Sequence, residues 1–407
     1  MKNVFTTPVA QGITRRAGLL TLLGSALALA GCGGGGGDLA VVGSGGTGSF
    51  SVGPITGLGS IIVNGVRFED SGAAVRDDDG VSRNRSELKL GMMATVTGSA
   101  VTRSSTDARA TASAIVFGGE LQGRIAGTPD ASLKTFVVLG QTVKVTGSTV
   151  FDVSLANGFN SLMTDTIVEV HGMLDPATNT LTATFIERKN SPPALFKIQG
   201  LVSSHDGIAR FNIGSIRINY STAADVRVIP TNGTLVRVRL TAVLPPAAAP
   251  AEWTATRIRP PENANEDRDE AEIEGSITVF TSPTRFSVNG IVVNASSATF
   301  PDGQALAVGV RVEVKGRLSA GVLIAERVKI EDGFEVDNLE FELHGTVSNV
   351  TLTSFTLTSS GGVAVNVSYT NALISNLQSG AKVEVKGTVL NAPGASTIIE
   401  ATRITFE

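Results

Sequence analysis

Apolar and polar positions alternate along this chain in short runs, and the runs recur. The clearest stretch begins at Ile273-Glu274-Gly275-Ser276-Ile277, the pattern of a half-buried strand. Phe286-Ser287-Val288-Asn289-Gly290-Ile291-Val292-Val293 predicts two short strands turned about Asn-Gly, the strongest local hairpin signal. Thr299-Phe300 and a polar connection from Pro301 to Ala307 follow, with room for a helical turn. Gly309 then leads into Val310-Arg311-Val312-Glu313-Val314-Lys315-Gly316, valines on one side and charges on the other. Val322 to Val328 supplies a fifth strand.

The same landmarks return along the sequence. Ala-x-x-(Ile/Val) stands at Ala112–Ile115, Ala183–Ile186, Ala255–Ile258, Ala325–Val328 and Ala401–Ile404, spaced by 71, 72, 70 and 76 residues. Such self-similarity marks an array of small units. A first-strand glycine recurs as Gly57, Gly123, Gly200, Gly275 and Gly345. Hairpins are predicted at Val63-Asn64-Gly65-Val66, Val138-Leu139-Gly140-Gln141 and Ile213-Gly214-Ser215-Ile216, with a longer turn from Thr358 to Gly362. The fourth strand ends on Gly98, Gly172, Gly316 and Gly387, which predicts a bulge or tight bend there. Val236-Arg237-Val238-Arg239-Leu240 departs, with no glycine. Phe136, Phe211, Phe286 and Phe355 fall at one inward strand position and read as core.

These elements predict an all-β chain of five tandem, small, five-stranded barrels. The order of strand, hairpin, connection and two more strands resembles the OB-fold, a five-stranded Greek-key barrel. A small SH3-like barrel or a curled open sheet is the alternative. The expected modules span 50–119, 120–190, 196–260, 272–331 and 341–407. Lys189–Ala194, the charged stretch Arg259–Ala271 and Glu331–Glu340 read as linkers, and Pro245–Pro250 as an extended hairpin loop within the third module. Units this small bury only about 60% of their unfolded surface, so docking between neighbours would help them.

The first 31 residues read as a targeting segment. Lys2, Arg15 and Arg16 precede an apolar run from Leu19 to Ala30, too short to span a bilayer. Leu29-Ala30-Gly31-Cys32 resembles a bacterial lipoprotein lipobox. The resemblance implies that Cys32 becomes the first mature residue and carries the lipid. Two or more acyl chains, at ~0.8 kcal/mol per buried methylene, would anchor it stably. Thr14 to Leu20 also resembles a twin-arginine export signal. Gly33 carries no acidic retention signal, which by the same resemblance implies the outer membrane, with the chain facing the periplasm or displayed outside. Residues 32–49 form a Gly-rich tether. Gly43 to Gly48 spells a dinucleotide fingerprint, but the Ser49-Phe50-Ser51-Val52-Gly53-Pro54 that follows cannot open the required helix.

Charge and cysteine narrow the picture further. Cys32 is the only cysteine, so no internal disulfide is available. Removal of residues 1–31 leaves 30 basic against 37 acidic residues, and no basic face is evident. A nucleic-acid partner is therefore not expected, the more so because aromatics make up only 5% of the chain.

Candidate chemistry is sparse. His171, His205 and His344 show no ligand spacing, and His171 and His344 fall where other repeats carry Lys315, Lys386 or Glu274, which reads as solvent-facing. Asp77-Asp78-Asp79-Gly80 invites a calcium reading, but adjacent aspartates point apart, and the stretch reads as a solvated hairpin tip. Glu169, Glu313 and Glu384 share one position between inward valines and read as outward-facing, with ordinary ionisation. No catalytic residue, metal ligand or cofactor is assigned.

Gly57-Leu58-Gly59-Ser60-Ile61-Ile62-Val63-Asn64-Gly65-Val66-Arg67-Phe68, with the later valine and Ala-x-x-(Ile/Val) segments, resembles the bacterial envelope repeat called domain of unknown function 5666. The resemblance implies export, often as a lipoprotein, and tandem small β-domains; it carries no catalytic residue. The expected role is structural or multivalent binding of an envelope protein or polysaccharide, without catalysis. The alternatives are a periplasmic assembly or chaperone factor using strand edges, and a glycan-acting enzyme with a site between modules. For the enzyme, Asp77–Asp79 with Arg83 and Arg85 is the non-repeated cluster to watch.

Overall fold

The computed structural model describes residues 48–105, 107–191, 193–245, 251–261, 266–300, 305–331, 340–370, 374–390 and 398–407. Cys32, the leader and most of the tether lie outside them, as do parts of the three expected linkers, of the Pro245–Pro250 loop and of the Pro301–Ala307 connection.

The chain is all-β and built from small closed five-stranded barrels. In residues 49–117 the strands are Ser49–Leu58, Ile61–Val63, Val66–Glu69, Met93–Gly98 and Ala108–Phe117. The first pairs with the second, the second with the third, the third with the fifth in parallel, the fifth with the fourth, and the fourth with the first. That ring has the OB order expected from the sequence. The same ring can be traced through residues 121–188, 195–259, 268–330 and 341–406. These rings are called the first to fifth below. Short 3-10 turns occupy the connection in the first (Arg85–Glu87) and second (Val153–Leu155, Gly158–Ser161).

Local chemistry explains the ring. Asn64-Gly65 and Asn289-Gly290 take the paired positive φ of a tight hairpin (51° and 72°, 49° and 84°). The fourth-strand glycines mark bulges. The register of the fourth strand against the fifth shifts at Gly98, Gly172, Gly316 and Gly387. A Cβ at any of them would run into a carbonyl oxygen of the facing strand. The third ring shifts at Arg239/Leu240 and manages without glycine. Phe136, Phe211, Phe286 and Phe355 are buried, as their alternation predicts.

The rings are docked. Ser49–Val52 pairs in parallel with Glu270–Ile273, and Gly57-Leu58 with Glu342-Leu343. The first, fourth and fifth rings thereby join into one sheet of 17 strands. Gln122 pairs with Lys197, joining the second and third into a sheet of 12. Apolar cores are shared as well: Ile55 and Phe68 belong to the same buried cluster as Phe341 and Phe355, and Phe136 to the same one as Phe211. Phe50 and Val52 of the first ring sit in the core of the fourth. One sequence reading is corrected here. Strand Arg268–Ser282 begins inside the stretch expected to be a charged linker, because Glu270 and Ala271 are claimed by the ladder to Ser49 and Phe50.

Candidate functional site

A cleft of about 650 Å³ opens where the first three rings meet. Its first wall is the acidic turn. Strand Ala74–Asp77 carries it, held parallel to Ala108–Phe117. Asp77 Oδ1 accepts the backbone N–H groups of Asp79 and Val81 at 3.0 and 2.9 Å, and Gly80 turns the chain with φ +86°. Arg83 donates to Asp77 Oδ2 at 2.7 Å. Asp77 thus shapes the turn, and Asp78 and Asp79 project into the third ring.

There they meet a ladder of cations. In strands Leu195–Ser203, Leu235–Thr241 and Glu252–Arg259, Lys197 stands opposite Arg239, which stands opposite Arg257; Arg237 stands opposite Arg259. Like charges directly across a ladder repel. The acidic turn relieves that repulsion. Asp78 lies 2.9 Å from Lys197 Nζ, 2.8 Å from Arg239 and 3.6 Å from Arg237. Asp79 lies 2.9 Å from Arg239 and 3.1 Å from Arg257. Asp225 caps the other end, 2.6 Å from Arg259.

The second ring closes the cleft. Glu169 binds Lys197 at 3.3 Å and Lys189 at 2.5 Å, and accepts the N–H of Gly119 at 3.0 Å. Lys89 of the first ring reaches Asp152 at 2.5 Å and Glu187 at 3.4 Å. His171, 1% exposed, accepts the Met93 N–H on Nδ1 at 3.2 Å and packs edge-on against Phe185. Its proton therefore sits on Nε2.

Burial and charge compete across this cluster. Burial alone would push the carboxyls of Asp78 and Glu169 up. At Asp78 the cations Lys197, Arg239 and Arg237 together outweigh it, and at Glu169 Lys197 and Lys189 do so with His171. Asp78 is held below its ordinary range and Glu169 well below. Burial pulls the His171 imidazole down to about 4 despite the Glu169 charge. Burial also pushes Glu120 up to about 8; its Oε2 accepts the Gly172 N–H at 2.8 Å. Glu120 lines a separate cavity of about 40 Å³ among the first four rings, with Asp78 and Arg237.

Several sequence readings are overturned by this arrangement. His171 and Glu169 are buried against the first and third rings, not solvent-facing. Glu313 and Glu384 do lie beside Lys315 and Lys386, at 2.9 and 3.8 Å, but both are half-buried. Asp78 is part of an inter-ring clamp rather than a solvated tip, and the oxygens a calcium ion would need are engaged by Lys and Arg. A basic face does exist: residues 195–259 hold eight Lys and Arg against three Asp and Glu. Arginines alternating at 237, 239, 257 and 259 were its legible signal. Arg85 pairs with Asp70 at 2.7 Å and stands apart from the clamp. His205 Nε2 meets the Tyr220 hydroxyl at 2.8 Å, within the third ring.

A second hollow, of about 400 Å³, lies between the first and fourth rings beside Glu272 and Lys315. Lys315 bonds Glu272 and Glu313, each at 2.9 Å. Burial, with Glu313 hydrogen-bonded alongside, pushes Glu272 up to about 7.

The family described as a domain of unknown function, DUF5666, matches residues 122–187 and 274–329. Among curated proteins none matches the chain. Each matched stretch runs from the first strand of a ring to its fifth, so the family's unit corresponds to one closed barrel. The chain is a repeat-containing protein that resembles this domain of unknown function in its second and fourth rings.

Proposed function

We propose that this chain is an outer-membrane-anchored lipoprotein whose docked barrels serve as a rigid binding scaffold in the cell envelope, without catalysis. The observation that carries the reading is the pairing in the cleft. Asp78, Glu169 and Asp152 are each held by a cation. Carboxylates fixed in this way stay ionised and make poor proton donors. The non-repeated polar cluster thus reads as a lock between barrels, and the lock fixes the spacing of the outer surfaces that meet a partner. Cys32 and its lipobox-like approach support the anchor.

Two assays test this reading. Fractionation of cells carrying the chain or its Cys32→Ser variant should place the first with the outer membrane and release the second. The chain should bind purified envelope polysaccharide or protein more tightly than residues 121–259 alone, through several linked contacts. Equal, strong binding by the fragment would contradict the multivalent role.

One observation favours the glycan-acting alternative. Glu272, raised to about 7, and Glu313, held low by Lys315 against its own burial, are two neighbouring carboxyls pushed apart in affinity for a proton. Loss of a glycan-cleaving activity in Glu272→Gln would establish that reading. The assembly-factor alternative needs free strand edges, and among the described residues the five strands of each ring have a neighbour on both sides.

A further inference from the structure

The seam between the first and fifth rings gathers a donor set that the binding role does not use. Strand Phe341–Ser348 runs beside Gly57-Leu58. Glu342 and His344, two residues apart, share one face of that strand. Glu384 of strand Lys382–Leu390 stands directly across from His344. One ligand atom from each of the three lies within 4.8 Å of the others, and all three residues are half-buried.

The imidazole is held from both sides. Its Nδ1 meets the Glu407 carboxylate, and its Nε2 lies 2.9 Å from Glu342 Oε1. A neutral imidazole has one N–H. Given to Glu407, it leaves the Nε2 lone pair facing a carboxylate lone pair. A cation between them would satisfy both; with the N–H on Nε2 instead, the contact is an ordinary hydrogen bond to Glu342. A carboxylate on the outer nitrogen, with the inner nitrogen turned toward further carboxylates, is the arrangement that orients histidine on zinc. Lys386 lies 3.0 Å from Glu342 Oε2 and Arg67 donates to Oε1, the oxygen that also faces His344, so a bound cation would displace one of them. Lys386 is 3.8 Å from Glu384, which leaves that carboxylate the more loosely held.

We propose that His344 Nε2, Glu342 and Glu384 bind a zinc-class divalent cation, with Glu407 positioning the imidazole from outside. Three protein ligands leave one position for water. The site depends on no part of the scaffold reading.

The test uses the full chain with Cys32→Ser, so that no thiol competes, and titrates cobalt(II) and then zinc at about pH 7.5. The proposal expects one equivalent of cobalt with the intense visible bands of four-coordination, displaced by zinc, and weaker binding at lower pH, where protons compete for the ligands. His344→Gln and Glu384→Gln should each abolish the signal with far-UV circular dichroism unchanged. Glu407→Gln should weaken binding by about ten- to a hundredfold. Absence of stoichiometric binding, or binding that survives both His344→Gln and Glu384→Gln, overturns the proposal. So does a His344 imidazolium that still titrates by NMR with zinc present, because Nε2 then carries a proton in place of the metal.

Discussion

The Asp78 carboxylate lies 2.9 Å from the Lys197 ammonium, with the side chains 8% and 3% exposed. One residue belongs to a turn of the first ring and the other to the first strand of the third. Neither charge has water to fall back on, so each depends on the other ring being in place.

Asp78→Ala should therefore cost far more than an ordinary surface change. It leaves Lys197 buried beside Arg239 and Arg237 with the 3.3 Å contact to Glu169 as its remaining ion pair, and loss of one partner of a buried pair destabilises by about 3–5 kcal/mol. Equilibrium urea unfolding checks the value. Adding Lys197→Met to Asp78→Ala should recover part of the loss, because the stranded charge goes with it.

His171 predicts an acid-side loss of stability. Its folded value of about 4 lies below the ordinary 6.5, so between the two the unfolded chain holds a proton that the folded chain does not. Stability should fall as pH drops from 6.5 toward 4, by about 3 kcal/mol in full. In His171→Gln the melting temperatures at about pH 7 and pH 4.5 should lie closer together than in the parent.

Glu120 carries the opposite sign. Its folded value of about 8 lies above the ordinary 4.5, so the folded chain holds the extra proton between them. That contribution is complete below 4.5 and is lost as pH rises through 8. Glu120→Gln keeps an acceptor for the Gly172 N–H without the charge. Its stability relative to the parent should increase from pH 5 to pH 9, measured by denaturation midpoints; a constant difference would remove Glu120 as a titrating group.

Much of the fold was legible in the sequence because its signals are local. Asn-Gly turns, alternating valines, inward phenylalanines and bulge glycines each act within a few residues, and the rings follow from them. The clamp was not legible in the same way. Val236-Arg237-Val238-Arg239 says that the arginines face away from their own core, and in a lone barrel that means water. Here a turn some 160 residues distant covers them. His171 was misread for the same reason. Its counterparts Lys315 and Lys386 remain partly exposed, but the outward face of the second ring is packed against Met93.

The bulges offer a check on ring closure itself. Gly172→Ala would drive a methyl group into the Thr182 carbonyl, where the backbone cannot yield without unpairing. A loss of about 1–3 kcal/mol is expected, within the range for backbone strain at a fixed position. Ala at Gly65, whose Cβ would meet no atom within 4 Å, should act only through its positive φ of 72° and cost less.

Small-angle scattering from residues 48–407 measures docking most directly. A single body of this length should give a radius of gyration on the order of 21 Å, and Asp78→Ala combined with Asp79→Ala should increase it. A radius half as large again in the unaltered chain, with the profile of flexibly linked beads, would contradict the docked arrangement.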